Sequence, residues 1–128
     1  ITTDFYPTIR EIVGAAGDDE HNAQIEGVSL VPLLKDPDTS LDRDALYFHY
    51  PHYYPTTSPV SAVRAGDWKL LEYFEDGHVE LYNLAEDVGE ANDLSKENRE
   101  KAAELHRRLT DWREAVDAQL PTVNPDKQ

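Results

Sequence analysis

The residues with the most chemical potential lie in one short stretch. His49, Tyr50, His52 and Tyr53, with Tyr54 beside them, crowd around Pro51, Pro55 and Pro59. Aromatic rings offer stacking surface and imidazoles offer neutral-to-cationic donors, so the group suits binding of a ring-bearing ligand. In the competing reading, the tyrosines pack and the histidines are polar groups of an edge strand. Three prolines exclude a central strand here and predict a loop. A His49-x-x-His52 metal pair would need a helix to align the two rings, and Pro51 breaks it.

Other candidates read as structure. Asp18-Asp19-Glu20-His21-Asn22 is acidic, but consecutive residues diverge in direction and lack a calcium-loop spacing, so a solvated turn is expected. Asp36, Asp38 and Ser40 imitate the start of an EF-hand loop. Leu41, however, occupies the glycine position and Tyr47 the bidentate glutamate position, which leaves a surface connection from Asp36 to Asp44. Arg64 is read as a structural ion-pair partner for a nearby carboxylate and Lys69 as an edge residue that snorkels, ahead of any anion-binding role. With no cysteine, there is no thiolate nucleophile, disulfide or Cys-ligated zinc.

The bulk numbers exclude more than they assign. At 128 residues the chain can form one ordinary domain with a core. Its net charge of −14 argues against nucleic acid and anionic membranes, which need a positive surface. No apolar run is long enough to span a bilayer, and nothing resembles a signal peptide. The absence of Met and the start at Ile1 read as an excerpt or a processed piece.

The elements that must position these residues follow from periodicity. Residues 5 to 16 predict a helix, capped by Thr3 or Asp4, with Pro7 in its first turn and Gly17 ending it. Phe5, Ile9, Ile12, Val13 and Ala16 form its apolar stripe, which has to pack on another domain or on a neighbouring copy. Gly27 to Leu34 predicts a short helical turn. Ala45 to Tyr50 predicts the first strand. Ser61 to Leu84 predicts a three-strand meander, turning at Ala65-Gly66-Asp67 and at Asp76-Gly77, the latter as a two-residue type I′ turn. Trp68, Leu70, Glu72 and Phe74 share one face of the middle strand; Lys69, Leu71 and Tyr73 share the other. Glu86 to Asn92 is a link bending at Gly89. Ser95 or Asn98 caps a last helix of about 99 to 119, with Ala102, Leu105, Leu109, Trp112, Val116 and Leu120 as its apolar stripe. Pro121 and Pro125 stop it, and the tail to Gln128 is expected to be loose. The fold class is α+β: about four antiparallel strands (45–84) covered by an amphipathic helix.

Three motifs carry a family resemblance. S-A-V-R-x-G-D-W-K-L from Ser61, followed by E-L-Y-N-L, D-x-G-E-x-x-D-L and a helix ending at a Trp, resembles the C-terminal subdomain of sulfatases of the arylsulfatase type. Asp4-Phe5-Tyr6-Pro7-Thr8 resembles D-x-x-P-T, and Gly27 to Leu34 resembles G-x-S-L-x-P-L-L. The resemblance implies that residues 1–34 end a larger α/β core domain and that 35–128 form the C-terminal subdomain. It implies a formylglycine nucleophile, made from the Cys or Ser of C/S-x-P-x-R, and a calcium ion, both in a preceding N-terminal domain. This chain contains neither the motif nor the acidic ligands. The fragment alone is therefore expected to be inactive, with the N-terminal domain as its partner and a sulfated sugar or aryl sulfate as the parent's substrate. His49, Tyr50, His52 and Tyr53 would then border the active-site mouth. A periplasmic or extracellular setting is implied by the resemblance alone. The rival is a free-standing acidic module whose aromatic loop binds a carbohydrate or a protein.

Overall fold

The structure is a computed structural model and describes residues 1–122. It divides into two compact units, Ile1–Arg43 and Asp44–Gln128.

The first unit is built around a buried charge. A 3-10 turn (Thr2–Asp4) leads into α1 (Phe5–Ile12), followed by the short helices α2 (Asp19–Asn22) and α3 (Val31–Lys35). Asp4 does not cap α1 with its side chain, as the sequence suggested. Its fully buried carboxylate instead accepts from Val28 N (3.0 Å) and from both terminal nitrogens of Arg43, Nη1 at 3.1 Å. The Ile1 nitrogen lies 2.8 Å from Oδ2. The hydrogen bonds from Arg43, ahead of the other contacts, hold this carboxyl well below the usual carboxylate range despite the opposing effect of burial. Four residues on, Thr8 Oγ1 donates to the Asp4 carbonyl (2.6 Å) and accepts from Leu30 N (2.9 Å).

The Asp and Thr of D-x-x-P-T thus grip two backbone N–H groups of G-x-S-L, which explains the pairing of these motifs. Gly27 is required by the same contact, because a Cβ there would sit 2.1 Å from the Thr3 carbonyl oxygen. α1 is shorter than expected. It ends at Ile12 because Gly14 (φ 65) already takes the left-handed position three residues ahead of Gly17 (φ 72). There Gly14 N bonds Glu11 O and Ala15 N bonds Arg10 O, the two bonds of a Schellman end. Residues 19–22 form a helical turn rather than a plain loop, since Asp18 Oδ1 accepts from His21 N at 2.9 Å.

The second unit is a four-stranded antiparallel sheet in the order β1 (Leu46–Tyr50), β2 (Val60–Ala65), β3 (Trp68–Tyr73), β4 (Val79–Asn83), with α4 (Arg99–Ala115) on one face. Register places Tyr47, Val63, Leu70 and Leu81 in one cross-strand row. Ala102, Leu105 and Leu109 of α4 close over that row, and Tyr47 stacks on Trp112 at 4.9 Å. Each fully buried leucine here is worth about 1.5–3 kcal/mol relative to exposure. Beyond this row lie Ser61 and Glu72. Glu72 meets Arg113 at 2.7 Å and His106 at 3.1 Å, so Arg113, outside the expected stripe, is buried by an ion pair.

Several boundaries depart from the sequence reading for local reasons. The β3–β4 connection runs over residues 74–78, not two, and only Gly77 has positive φ (73). Asp76 instead turns its carboxylate to the His78 backbone N–H, so the type I′ expectation fails. Gly66 (φ 57) alone is left-handed at the first hairpin, as a II′-type turn needs. Asn98, not Ser95, caps α4, accepting from Lys101 N. α4 stops at Ala115 because Asp117 enters the left-handed region (φ 50) and Ala118 N bonds Arg113 O. Val116 and Leu120 therefore leave the stripe and are exposed. In the 86–92 link the left-handed residue is Glu90 (φ 55), not Gly89. Pro125 and the tail to Gln128 lie outside the described residues.

Candidate functional site

The aromatic stretch begins on β1, where strand alternation decides which rings can meet. Tyr47 and His49 share the face covered by α4; Phe48 and Tyr50 point to the opposite face. His49 is consequently held inside the helix-covered layer. Its Nε2 lies 2.9 Å from the Gln119 carbonyl, which can only accept, so Nε2 carries the proton. In the neutral imidazole Nδ1 then accepts from the Ser61 hydroxyl at 2.6 Å. The ring also packs edge-on against Phe74 at 5.7 Å. Both nitrogens are occupied by the chain itself.

Tyr50 starts a different group. It lies edge-to-face with His52 (5.7 Å) and with Tyr54 (6.3 Å). Edge-on packing of this kind favours the ring quadrupoles, and all three residues are exposed. The loop tip is pinned by reciprocal backbone bonds between Tyr54 and Thr57 (3.0 and 3.1 Å). Tyr53 stands apart, 70% exposed, and donates its hydroxyl to Glu75 at 2.9 Å. That hydrogen bond to a carboxylate pushes the phenol pKa upward. Of the four residues singled out in the sequence, Tyr50 and His52 come together, Tyr53 stands apart on Glu75 and His49 faces away. Tyr54 joins the cluster instead. Counting alternate positions onward from Tyr50 through His52 to Tyr54 points to this trio. The cluster offers ring faces, two phenols and an imidazole, which suits stacking and hydrogen bonding to a polar ring.

The other motif residues, Arg64 apart, have structural roles. Asp87 Oδ2 accepts from the Ala91 and Asn92 N–H groups at 2.8 Å, and Asp93 Oδ1 accepts from Leu81 N (3.0 Å) and Ser95 N (2.8 Å). Glu90 binds Lys69 Nζ at 2.6 and 2.7 Å, so Lys69 is an ion-pair partner rather than a snorkelling edge residue. Arg64, expected to be ion-paired, meets no carboxylate among the described residues. The donor set of this chain does not fit a formylglycine–calcium centre. The sequence has no cysteine and no Ser with Pro two and Arg four residues on. The described residues contain no group of three His, Cys, Asp or Glu side chains arranged to hold a metal.

Comparisons with known proteins agree with the motifs. The family model described as N-sulphoglucosamine sulphohydrolase, C-terminal, matches residues 1–115. A sulfatase of Formosa agariphila is 32% identical over 123 residues, covering 87% of this chain and 22% of the relative. The delta 4,5-hexuronate-2-O-sulfatase of Bacteroides thetaiotaomicron is 31% identical over 113 residues, covering 86% of this chain and 22% of the relative. Among solved structures, BT4656 in complex with its substrate D-glucosamine-2-N,6-O-disulfate superposes with a TM-score of 0.71 at 28% identity, covering 98% of this chain and 25% of that one. BT1596, a 2-O GAG sulfatase, gives 0.75 at 26% identity, covering 90% and 25%. The chain thus spans about a fifth of the length of the curated relatives it matches. With residues 1–115 matched by that model, the chain belongs to the N-sulphoglucosamine sulphohydrolase C-terminal family of sulfatases.

Proposed function

We propose that this chain is the C-terminal portion of an enzyme that hydrolyses sulfate esters of sugars. The observation that carries the reading is the coverage. The match takes in nearly all of this chain and only 22% of each curated relative. The nucleophile and calcium would belong to the part of the polypeptide this chain does not include. When present they would supply the attack on sulfur and the polarisation of the sulfate oxygens. The role of this chain is to support that part and shape access to it.

Residues 1–34 are the end of the catalytic core in this reading. Phe5 and Ile9 (59% exposed each), Ile12 (64%) and Val13 (67%) present an apolar face on α1 that a folded protein normally covers. The Tyr50–His52–Tyr54 cluster borders the substrate mouth, where its ring faces stack on a sugar and Tyr53 contributes at the edge. Relatives whose names specify glucosamine disulfate, glycosaminoglycan and hexuronate support a sulfated sugar over an aryl sulfate. No lysine or arginine belongs to the cluster, so it selects the sugar rather than the sulfate.

The test is sulfate release from sulfated glucosamine and sulfated uronate by the protein encoded together with its upstream sequence. Activity is expected, with Tyr50→Ala and His52→Ala raising KM while leaving kcat nearly unchanged. Unchanged KM in both variants would remove the loop from the substrate site. No sulfate release from any sulfated sugar would remove the activity.

A further inference from the structure

The sheet face turned away from α4 carries a groove of about 210 Å3 with Phe48, Ala62 and Leu84 as its apolar lining and Arg64, Lys69 and Glu90 as its charged lining. Arg64 and Lys69 are cross-strand partners, so their side chains leave the sheet at neighbouring positions on one face. Like charges placed this way repel unless anions intervene. Lys69 has its anion in Glu90, which is held at φ 55, a left-handed conformation unfavourable for a residue with a Cβ. Arg64 is exposed and has none among the described residues, although the chain carries 26 Asp and Glu. Phe48 beside it is 49% exposed.

We propose that this groove is a docking surface for the upstream portion of the same polypeptide, which seats an apolar side chain on Phe48, Ala62 and Leu84 and a carboxylate on Arg64. The inference rests on the reading given under Proposed function and adds a specific surface to it. Two features select this occupant. The relatives extend over four times the length of the match, which supplies the missing chain. The groove pairs an apolar floor with one cation that has no carboxylate partner among the described residues, so its occupant brings an apolar group beside a single negative charge. A folded polypeptide provides an apolar group and a single carboxylate side by side.

The experiment compares the longer protein with the 128-residue chain, each as wild type, Arg64→Glu and Arg107→Glu. Arg107 lies on the exposed side of α4 and serves as the matched charge change. Hydroxyl-radical labelling of Phe48 is expected to fall severalfold in the longer protein relative to the chain, and Arg64→Glu is expected to restore it and lower the Tm of the longer protein. The Tm of the 128-residue chain should not fall in Arg64→Glu, since Arg64 has no acidic partner among the described residues and repulsion with Lys69 is relieved. Equal labelling of Phe48 in both proteins overturns the proposal, as does an Arg64→Glu effect no larger than that of Arg107→Glu. A Tm loss in the short chain would make Arg64 structural and also overturn it. Weakened substrate binding with Phe48 labelling unchanged would assign Arg64 to an anionic ligand instead. If these readings fail while the longer protein still releases sulfate, the groove alone is wrong; absence of sulfate release fails the enzymatic reading independently.

Discussion

In residues 1–43 the fully buried side chain is a carboxylate, Asp4; in residues 44–122 Leu70, Leu81, Leu105 and Leu109 fill the interior. The first unit spends its polar groups inside, gripping backbone N–H groups, and leaves Phe5, Ile9, Ile12 and Val13 at its surface. The second is built on a leucine core under α4, with a single buried ion pair among the described residues, Glu72–Arg113, beside it. The difference separates a region shaped by precise polar contacts, with little core of its own, from one that carries a complete helix-on-sheet core. A domain edge has the first character and a self-sufficient subdomain the second.

The largest expected effect comes from Asp4→Ala. It leaves the half-buried Arg43 without its partner and Val28 N unsatisfied, and removing one member of a buried pair costs up to about 3–5 kcal/mol. Hydrogen exchange should show residues 1–43 opening while β2 and β3 keep their protection. Uniform loss of protection would mean the two units are not separable. Leu109→Ala is the mirror experiment. A fully buried leucine lost from a core costs about 2–5 kcal/mol, and here the sheet and α4 should open with the Asp4 contacts spared.

The buried carboxylate also predicts a pH dependence. Its folded pKa is depressed by Arg43, so its stabilisation is fully present above the unfolded value of about 3.9 and is lost as pH falls through the folded pKa. Protection of residues 1–43 should therefore decline only in strong acid, and Asp4→Asn should remove that acid-dependent step. A midpoint at the ordinary carboxylate pH would contradict the contact. The smallest effect is Glu90→Gly. Relief of the left-handed φ and loss of the Lys69 pair oppose each other, each within about 1 kcal/mol, so the Tm should move by only a few degrees.

Much of the second unit was legible because its signals are local. Alternation in Trp68 to Phe74 and three-four spacing in Ala102 to Trp112 specify which faces meet, and the structure pairs them. The departures arise where side chains compete for the backbone. Asp76 bonds His78 N, and Asp117 takes a position usually given to glycine, so turn type and helix end could not be read from Gly and Pro alone. The Asp4–Arg43 pair joins residues 39 apart and leaves no periodic trace. In the candidate site, prolines revealed the loop, but strand parity decided that His49 faces Ser61 while Tyr50 faces His52 and Tyr54.

The measurement that bears most directly on the account is sulfate release from a sulfated sugar by three samples: the longer protein, the longer protein truncated before Ile1, and the 128-residue chain. Activity in the longer protein, a marked loss on truncation and none in the short chain is the predicted result. Sulfate release by the short chain itself, or undiminished activity after truncation, would contradict it.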